Sequence, residues 1–209
     1  MGLNTSSSSL RIGLFGGAFD PPHLAHRALA ESALHDLQLD WLYVVPTGQA
    51  WHKSRTLTDA HHRWAMTRLA FEGLSQVVIE PRELNHAGPS YTVDTLAALR
   101  TAHPSAQFFL IMGADQAVMF NTWRDWTQIA EWATLAVGER ALDGQSQATQ
   151  LEWHNPAQTK LVRLRMPLMP ISATEIRQQL QQARNSATTL SPSVIQYIQQ
   201  HHLYTDPHD

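Results

Sequence analysis

A glycine-rich turn between a buried strand and a helix constrains this chain more than any other part of its sequence. The turn lies in residues 16–26, Gly-Gly-Ala-Phe-Asp-Pro-Pro-His-Leu-Ala-His, and it follows an apolar run at residues 10–15. Glycines let the backbone approach a phosphate, and a helix start presents unpaired N–H groups with about half a positive charge. His23 and His26 are expected on one face of the first helical turn. The pattern therefore predicts a site for the phosphates of a nucleotide.

This motif differs from two other phosphate-binding loops. It is neither the G-x-G-x-x-G of dinucleotide-binding folds nor the G-x-x-x-x-G-K-[ST] loop, and no lysine follows its glycines. Ordinary hydride transfer and nucleoside triphosphate hydrolysis therefore lose support as functions.

Short apolar runs alternate with helical patterns along the chain. Strands are predicted at residues 10–15, 41–45, 76–79, 108–112, 134–137 and 161–164, and helices at 23–37, 59–71, 92–102 and 128–132. This alternation is typical of an α/β protein with a doubly wound parallel sheet. Ligands of such sheets bind beyond the carboxyl ends of the strands, where the strand order reverses. The turns at residues 16–17, 46–53 and 113–115 are therefore expected to meet there.

Composition limits the class of protein. The 209 residues carry a net charge of −3 and are 43% hydrophobic, so we expect a globular protein without electrostatic attraction for nucleic acid or an anionic membrane. The absence of an apolar run of 18 residues predicts no membrane-spanning segment. Cysteine is absent, which excludes disulfides and thiolate metal sites and suits a reducing compartment. We therefore expect a cytoplasmic protein.

A single domain is predicted at residues 10–205, after a polar, serine-rich tail at residues 1–9 that we expect to be flexible. Residues 141–159 are polar and aperiodic, and they are interpreted as a loop or a variable insertion. A small helical part is predicted at about residues 171–205. Ser172 with Glu175 has the pattern of a capping box, and Ser191 precedes a proline at the first position of another helix.

Four further residues are candidates for capping or binding. Ser90 is predicted to cap the helix at residues 92–102. Asp115 follows a strand, where its carboxylate could bind a ribose hydroxyl, and Trp123 offers an indole face to a flat ring. Arg177 lies in a helix whose N-terminus is a second potential anion site.

These strings together resemble a superfamily of nucleotidyltransferases. Its signature GxFDPxHxGH, or a near variant, is similar to residues 16–26, and its second signature ISxTxxR matches residues 171–177. With PSYTVDTL at residues 89–96, MGAD at 112–115 and NTWRDW at 121–126, the chain resembles the bacterial nicotinate-nucleotide adenylyltransferase family over nearly its whole length. That family usually has threonine and glycine where this chain has Ala18 and Ala25, and we expect these departures to leave the chemistry unchanged.

The resemblance implies a Rossmann-like nucleotidyltransferase fold and a reaction. AMP would pass from ATP to nicotinate mononucleotide, giving deamido-NAD and pyrophosphate. Mg²⁺ would be bound mainly through the substrate phosphates, with no metal site formed by the protein itself. The implied roles are catalysis for His23, His26 and Arg177; ATP binding for these three with Gly16, Gly17, Phe19, Gly113, Asp115 and Ser172; and nicotinate mononucleotide binding for Lys53, Thr92 and Trp123.

Several alternatives stay open from the sequence. The same chemistry could act on nicotinamide mononucleotide or phosphopantetheine, or use CTP, and the fold could belong to a non-catalytic nucleotide-binding regulator. The chain has twelve histidines, but the pairs at residues 61–62 and 201–202 lack metal-ligand spacing and are interpreted as solvated helix faces. Assembly into a homo-oligomer is also left open.

Overall fold

The computed structural model describes residues 9–48, 57–85, 88–138, 141–142, 145–146, 159–167, 169–182 and 188–205. The strands are β1 (Arg11–Gly17), β2 (Trp41–Pro46), β3 (Val77–Ile79), β4 (Gln107–Gly113), β5 (Ala133–Gly138), β6 (Ala141–Leu142), β7 (Gln145–Ser146) and β8 (Leu161–Leu164). The α-helices are α1 (Leu24–Asp36), α2 (Ala60–Ala70), α3 (Thr92–Ala102), α4 (Ala114–Val118), α5 (Trp126–Trp132), α6 (Ala173–Gln181) and α7 (Pro192–Gln200). A 3₁₀ turn covers Phe120–Thr122.

Six of the described strands form one parallel sheet in the order β3-β2-β1-β4-β5-β8. The chain runs outward from β1 to β3 and then returns to add β4 on the other side of β1. The strand order therefore reverses between β1 and β4, and a crevice opens there at the carboxyl ends of the strands. The predicted doubly wound α/β fold is confirmed.

The sheet is buried on both faces because alternate side chains of its central strands enter two separate cores. In β4, Phe109 and Ile111 join the core that includes residues of α1, α2, α6 and α7. Phe108, Leu110 and Met112 join the core on the other face, with residues of α3 to α5. Burial on both sides explains why these strands are nearly continuous apolar runs in the sequence.

The structure differs from the predicted elements mainly in short helices and strands. Helix α4 has only five residues, too few for a helical period to be visible in the sequence. Within the predicted loop at residues 141–159, β6 and β7 pair as two-residue antiparallel strands. Residues 143–144 and 147–158 of that segment, like residues 1–8 of the predicted tail, lie outside the described residues. The domain boundaries stay a prediction.

The predicted helix caps have mixed outcomes. Ser191 caps α7 as expected, since its Oγ accepts a hydrogen bond from the Val194 N–H at 3.4 Å, with Pro192 as the first helical residue. Ser172 is the N-cap residue of α6, but its side chain makes no capping hydrogen bond, so the predicted capping box is wrong. Ser90 does not cap α3 either, because the helix starts one residue later than that role requires. Tyr91 is its N-cap, and the buried Ser90 Oγ lies 3.4 Å from the Glu83 carbonyl, to which it donates.

No helix in the described ranges is long and apolar enough to cross a membrane.

Candidate active site

A cavity of about 670 Å³ lies at the reversal of strand order, against the carboxyl ends of β1 and β4. It is lined by every predicted site residue that the structure describes. The remaining predicted site residue, Lys53, lies in residues 49–56, outside the described part of the chain. The residues brought together are Gly16, Gly17, Phe19, His23, His26, Thr92, Gly113, Asp115, Trp123, Ser172 and Arg177.

The glycines at the end of β1 leave space for different partners. A Cβ built on Gly17 would lie 3.1 Å from the Phe19 ring, so Gly17 makes room for a buried side chain of the same turn. A Cβ built on Gly16 meets no atom within 4 Å. Gly16 lines the cavity, so the packing of the protein does not require a glycine at this position.

The two histidines form a stacked pair at the start of α1. His23 is the N-cap residue, and its ring lies 3.6 Å from that of His26, with 23° between the ring planes. The His23 N–H donates to Nδ1 of His26 at 3.1 Å. Because Nδ1 accepts this bond, a neutral His26 carries its proton on Nε2. The pair therefore supplies a hydrogen-bond donor of defined tautomer beside the helix N-terminus.

Arg177 connects the C-terminal motif to this turn. It projects from α6, and its Nη1 donates to the carbonyl oxygen of Asp20 at 2.7 Å. Its Nη2 donates to Thr174 Oγ1 at 3.1 Å. These bonds hold a guanidinium, which complements phosphate oxygens, at the edge of the same cavity as the histidines.

Asp20 joins the turn to the end of the chain, which sequence reasoning missed. Its buried carboxylate accepts a hydrogen bond from the Tyr204 hydroxyl at 2.7 Å and one from the Thr58 N–H at 3.3 Å. Burial, and then the neighbouring Asp20 charge, raise the pKa of Tyr204 well above its usual range, so the hydroxyl stays protonated as a donor. Asp20 stands in the first motif, but its partner lies 184 residues away.

Arg63 is a second missed residue. It is 2% exposed, and its guanidinium donates to four carbonyl oxygens: Thr58 at 2.8 Å, Ala18 at 3.0 Å, Thr47 at 2.7 Å and Gly48 at 3.3 Å. Ala18 lies in the turn that follows β1, Thr47 and Gly48 directly follow β2, and Thr58 lies just before α2. A buried guanidinium is costly unless its donors are satisfied, so this arginine serves to fix one turn against the other. Its helical position in the sequence carries no signal for this role.

The cavity lining also includes groups suited to a flat ring. Trp123 follows the 3₁₀ turn and makes an edge-on contact with Phe120 at 5.7 Å between ring centroids. Thr92 is the first residue of α3, and the Arg124 guanidinium lies 4.5 Å from the centre of the Tyr91 ring. Tyr91 and Arg124 also line the cavity, although neither was among the predicted site residues.

Asp115 lies in the first turn of α4, directly after the end of β4. Its Oδ1 is 2.6 Å from the position of a Cβ on Gly113, so any side chain at residue 113 would displace the carboxylate. The predicted pairing of a glycine with a carboxylate at this strand end therefore has a steric reason.

One histidine of the pairs at residues 61–62 and 201–202 packs differently from the prediction. His61 and His62 lie on α2, and His62 Nδ1 is 3.0 Å from the Tyr197 hydroxyl of α7. The His201 ring is 5.1 Å from that of His62. The interpretation of both pairs as solvated faces is thus wrong for His62, which is part of the contact between two helices. In the described residues no three His, Cys, Asp or Glu side chains form a group that could hold a metal ion.

Comparisons with known proteins identify relatives of this chain. A family model described as cytidylyltransferase-like matches residues 14–179. A probable nicotinate-nucleotide adenylyltransferase of Albidiferax ferrireducens is 49% identical over 194 residues, covering 93% of this chain and 98% of that protein. Another of Methylibium petroleiphilum is 40% identical over 211 residues, covering 97% of this chain and 96% of that protein.

A solved structure shares the fold. That of Plasmodium falciparum nicotinic acid mononucleotide adenylyltransferase complexed with NaAD aligns with a TM-score of 0.79 and 21% identity, covering 93% of this chain and 97% of that one. The fold, the convergent motifs and the relatives' identity over almost their full length place this chain in the nicotinate-nucleotide adenylyltransferase family.

Proposed function

We propose that this protein transfers AMP from ATP to nicotinate mononucleotide, releasing pyrophosphate and deamido-NAD in NAD biosynthesis. The observation that carries the proposal is the convergence of the His23–His26 turn and Arg177 of α6 on one cavity. Relatives named nicotinate-nucleotide adenylyltransferase supply the acceptor.

The chemistry needs positioning and charge neutralisation more than a strong base. A phosphate oxygen of nicotinate mononucleotide attacks the α-phosphorus of ATP, and the bond from that phosphorus to the bridging oxygen breaks as pyrophosphate leaves. The nucleophile is already an anion, so no side chain has to remove a proton from it. Donors aimed at the phosphate oxygens lower the barrier by stabilising the charge that moves to pyrophosphate.

The proposed roles of the residues follow from the needs for positioning and for charge neutralisation. His26 donates through Nε2 and His23 supports the same phosphates, while Arg177 and the N-terminus of α6 at Ser172 bind the triphosphate. Asp115 accepts from the ribose hydroxyls of adenosine, and the backbone at Gly16, Gly17, Phe19 and Gly113 follows the nucleotide.

The acceptor is proposed to lie beside Trp123 and Thr92 in the same cavity. Trp123 would stack on the pyridine ring, and Thr92 would hydrogen-bond its carboxylate. Lys53 stays a candidate for the acceptor phosphate from the sequence alone.

Mg²⁺ is proposed as the cofactor, held mainly by the substrate phosphates. The groups proposed to bind the triphosphate are histidines, a guanidinium and backbone N–H groups, which complement anionic oxygens and would leave the phosphates to supply the metal's ligands. When bound, the ion would neutralise phosphate charge and orient the leaving group. A cytoplasmic location is proposed from the cysteine-free composition.

The test is pyrophosphate release from ATP and Mg²⁺ with nicotinate mononucleotide, nicotinamide mononucleotide and phosphopantetheine compared as acceptors. We expect a strong preference for nicotinate mononucleotide. Preference for another acceptor would support the proposed ATP site and refute nicotinate mononucleotide as the acceptor. Folded protein that binds ATP without releasing pyrophosphate would indicate a regulator.

A further inference from the structure

Tyr204, near the end of the chain, is buried against the turn at residues 16–26. Tyr204 is 1% exposed, and its hydroxyl meets the carboxylate of Asp20, which is 2% exposed. A buried tyrosine hydroxyl needs a hydrogen-bond partner, and here that partner is a carboxylate of the turn that also holds His23. The cost of burying that charge is offset by the donors it receives from Tyr204 and Thr58.

Asp20 uses its two ends for different purposes. Its carboxylate faces Tyr204 and Thr58, whereas its main-chain carbonyl accepts from Nη1 of Arg177 at 2.7 Å. Rotation or displacement of the main chain at residue 20 therefore moves the carbonyl oxygen that accepts from the Arg177 guanidinium. The Tyr204 hydroxyl restrains the side chain of the residue that sets the direction of this arginine.

We propose that Tyr204 is a positioning residue, which sets the Arg177 guanidinium for the ATP phosphates by fixing Asp20. The inference rests on the proposed function, since it assumes that Arg177 contacts the triphosphate. Tyr204 itself does not line the cavity, so it acts only through the residues between.

The test is the dissociation constant of MgATP, measured by calorimetry without an acceptor. Tyr204→Phe removes one hydroxyl and keeps the ring, and we expect its MgATP Kd to rise about tenfold, since a small misplacement of a binding group is costly. Tyr43→Phe is the matched control. It removes a hydroxyl that lies 3.2 Å from His103 Nε2, outside the cavity lining, and its Kd should equal that of the wild type.

A purely structural role would lower the thermal midpoint of Tyr204→Phe and leave the Kd of the folded protein unchanged. A second comparison identifies the residue through which Tyr204 acts. In an Arg177→Lys background, Tyr204→Phe should raise the Kd by less than threefold, since the group it positions has already been replaced.

A Kd for Tyr204→Phe within twofold of the wild type overturns the proposal, and so do additive effects with Arg177→Lys. Asp20→Asn, which keeps the main-chain carbonyl that Arg177 contacts and weakens the bond from the Tyr204 hydroxyl, serves the same test if Tyr204→Phe does not fold. Wild-type protein that fails to bind MgATP would refute the proposed function instead.

Discussion

Gly16 offers a test that separates the needs of folding from the needs of the ligand. A Cβ at residue 16 meets no atom within 4 Å, and its φ lies outside the region that favours glycine. Gly16→Ala should therefore leave the protein folded, and it should gain up to about 1 kcal/mol because alanine restricts the unfolded chain. The thermal midpoint should be unchanged or rise by up to about 4 °C.

The binding of ATP should respond in the opposite direction. If the proposed function is right, the added methyl group takes space in the cavity that the nucleotide enters, and overpacking of this size costs about 1–3 kcal/mol. The MgATP Kd of Gly16→Ala should then rise by about 5- to 150-fold, measured by calorimetry on the folded protein.

Gly13→Ala on the same strand provides the contrast. A Cβ there would lie 2.7 Å from the methyl carbons of Leu39 and Leu42 and 2.9 Å from that of Ile111, all within the sheet packing. This variant should lose about 1–3 kcal/mol of stability and retain the wild-type Kd when folded. Wild-type affinity in Gly16→Ala would refute the argument that residue 16 lacks a side chain for the sake of the ligand.

Three further outcomes are expected. His26→Ala should lower turnover about 10²- to 10³-fold. It should cost about 1 kcal/mol of stability, because the His23 N–H loses its acceptor. A loss of stability with turnover intact would contradict the proposed role. Arg63→Met should lower the free energy of unfolding in urea by more than about 2 kcal/mol, because it leaves buried carbonyls without their donor, whereas the exposed Arg68→Met should cost less than about 1 kcal/mol. Burial and the nearby His61 and His201 hold the pKa of His62 below its ordinary value of 6.5. In acid the unfolded chain therefore binds more protons than the folded protein, and the free energy of unfolding falls as the pH drops below about 6.5. His62→Gln should show a smaller loss of thermal midpoint between pH 7.5 and 5.5, and an unchanged loss would exclude this histidine as the cause.

The sequence determined the fold class and most of the cavity lining because both depend on local patterns. Apolar runs alternate with helical periods, and a glycine turn before a helix start has the same geometry wherever it occurs. The carboxyl ends of neighbouring parallel strands lie at one edge of the sheet, so motifs that follow them converge without further information. This is why Gly16, His23, Gly113 and Asp115 could be predicted together.

Only the tertiary structure decided how these residues are held. The capping box at Ser172 and the cap at Ser90 fit local rules, yet their side chains are used differently once the helices have packed. The hydrogen bonds of Arg63 to two turns and of Tyr204 to Asp20 join segments far apart in the chain. A local pattern specifies which groups a segment offers, but a buried hydrogen bond also depends on which distant partner the packing brings within about 3 Å, and no periodicity records that.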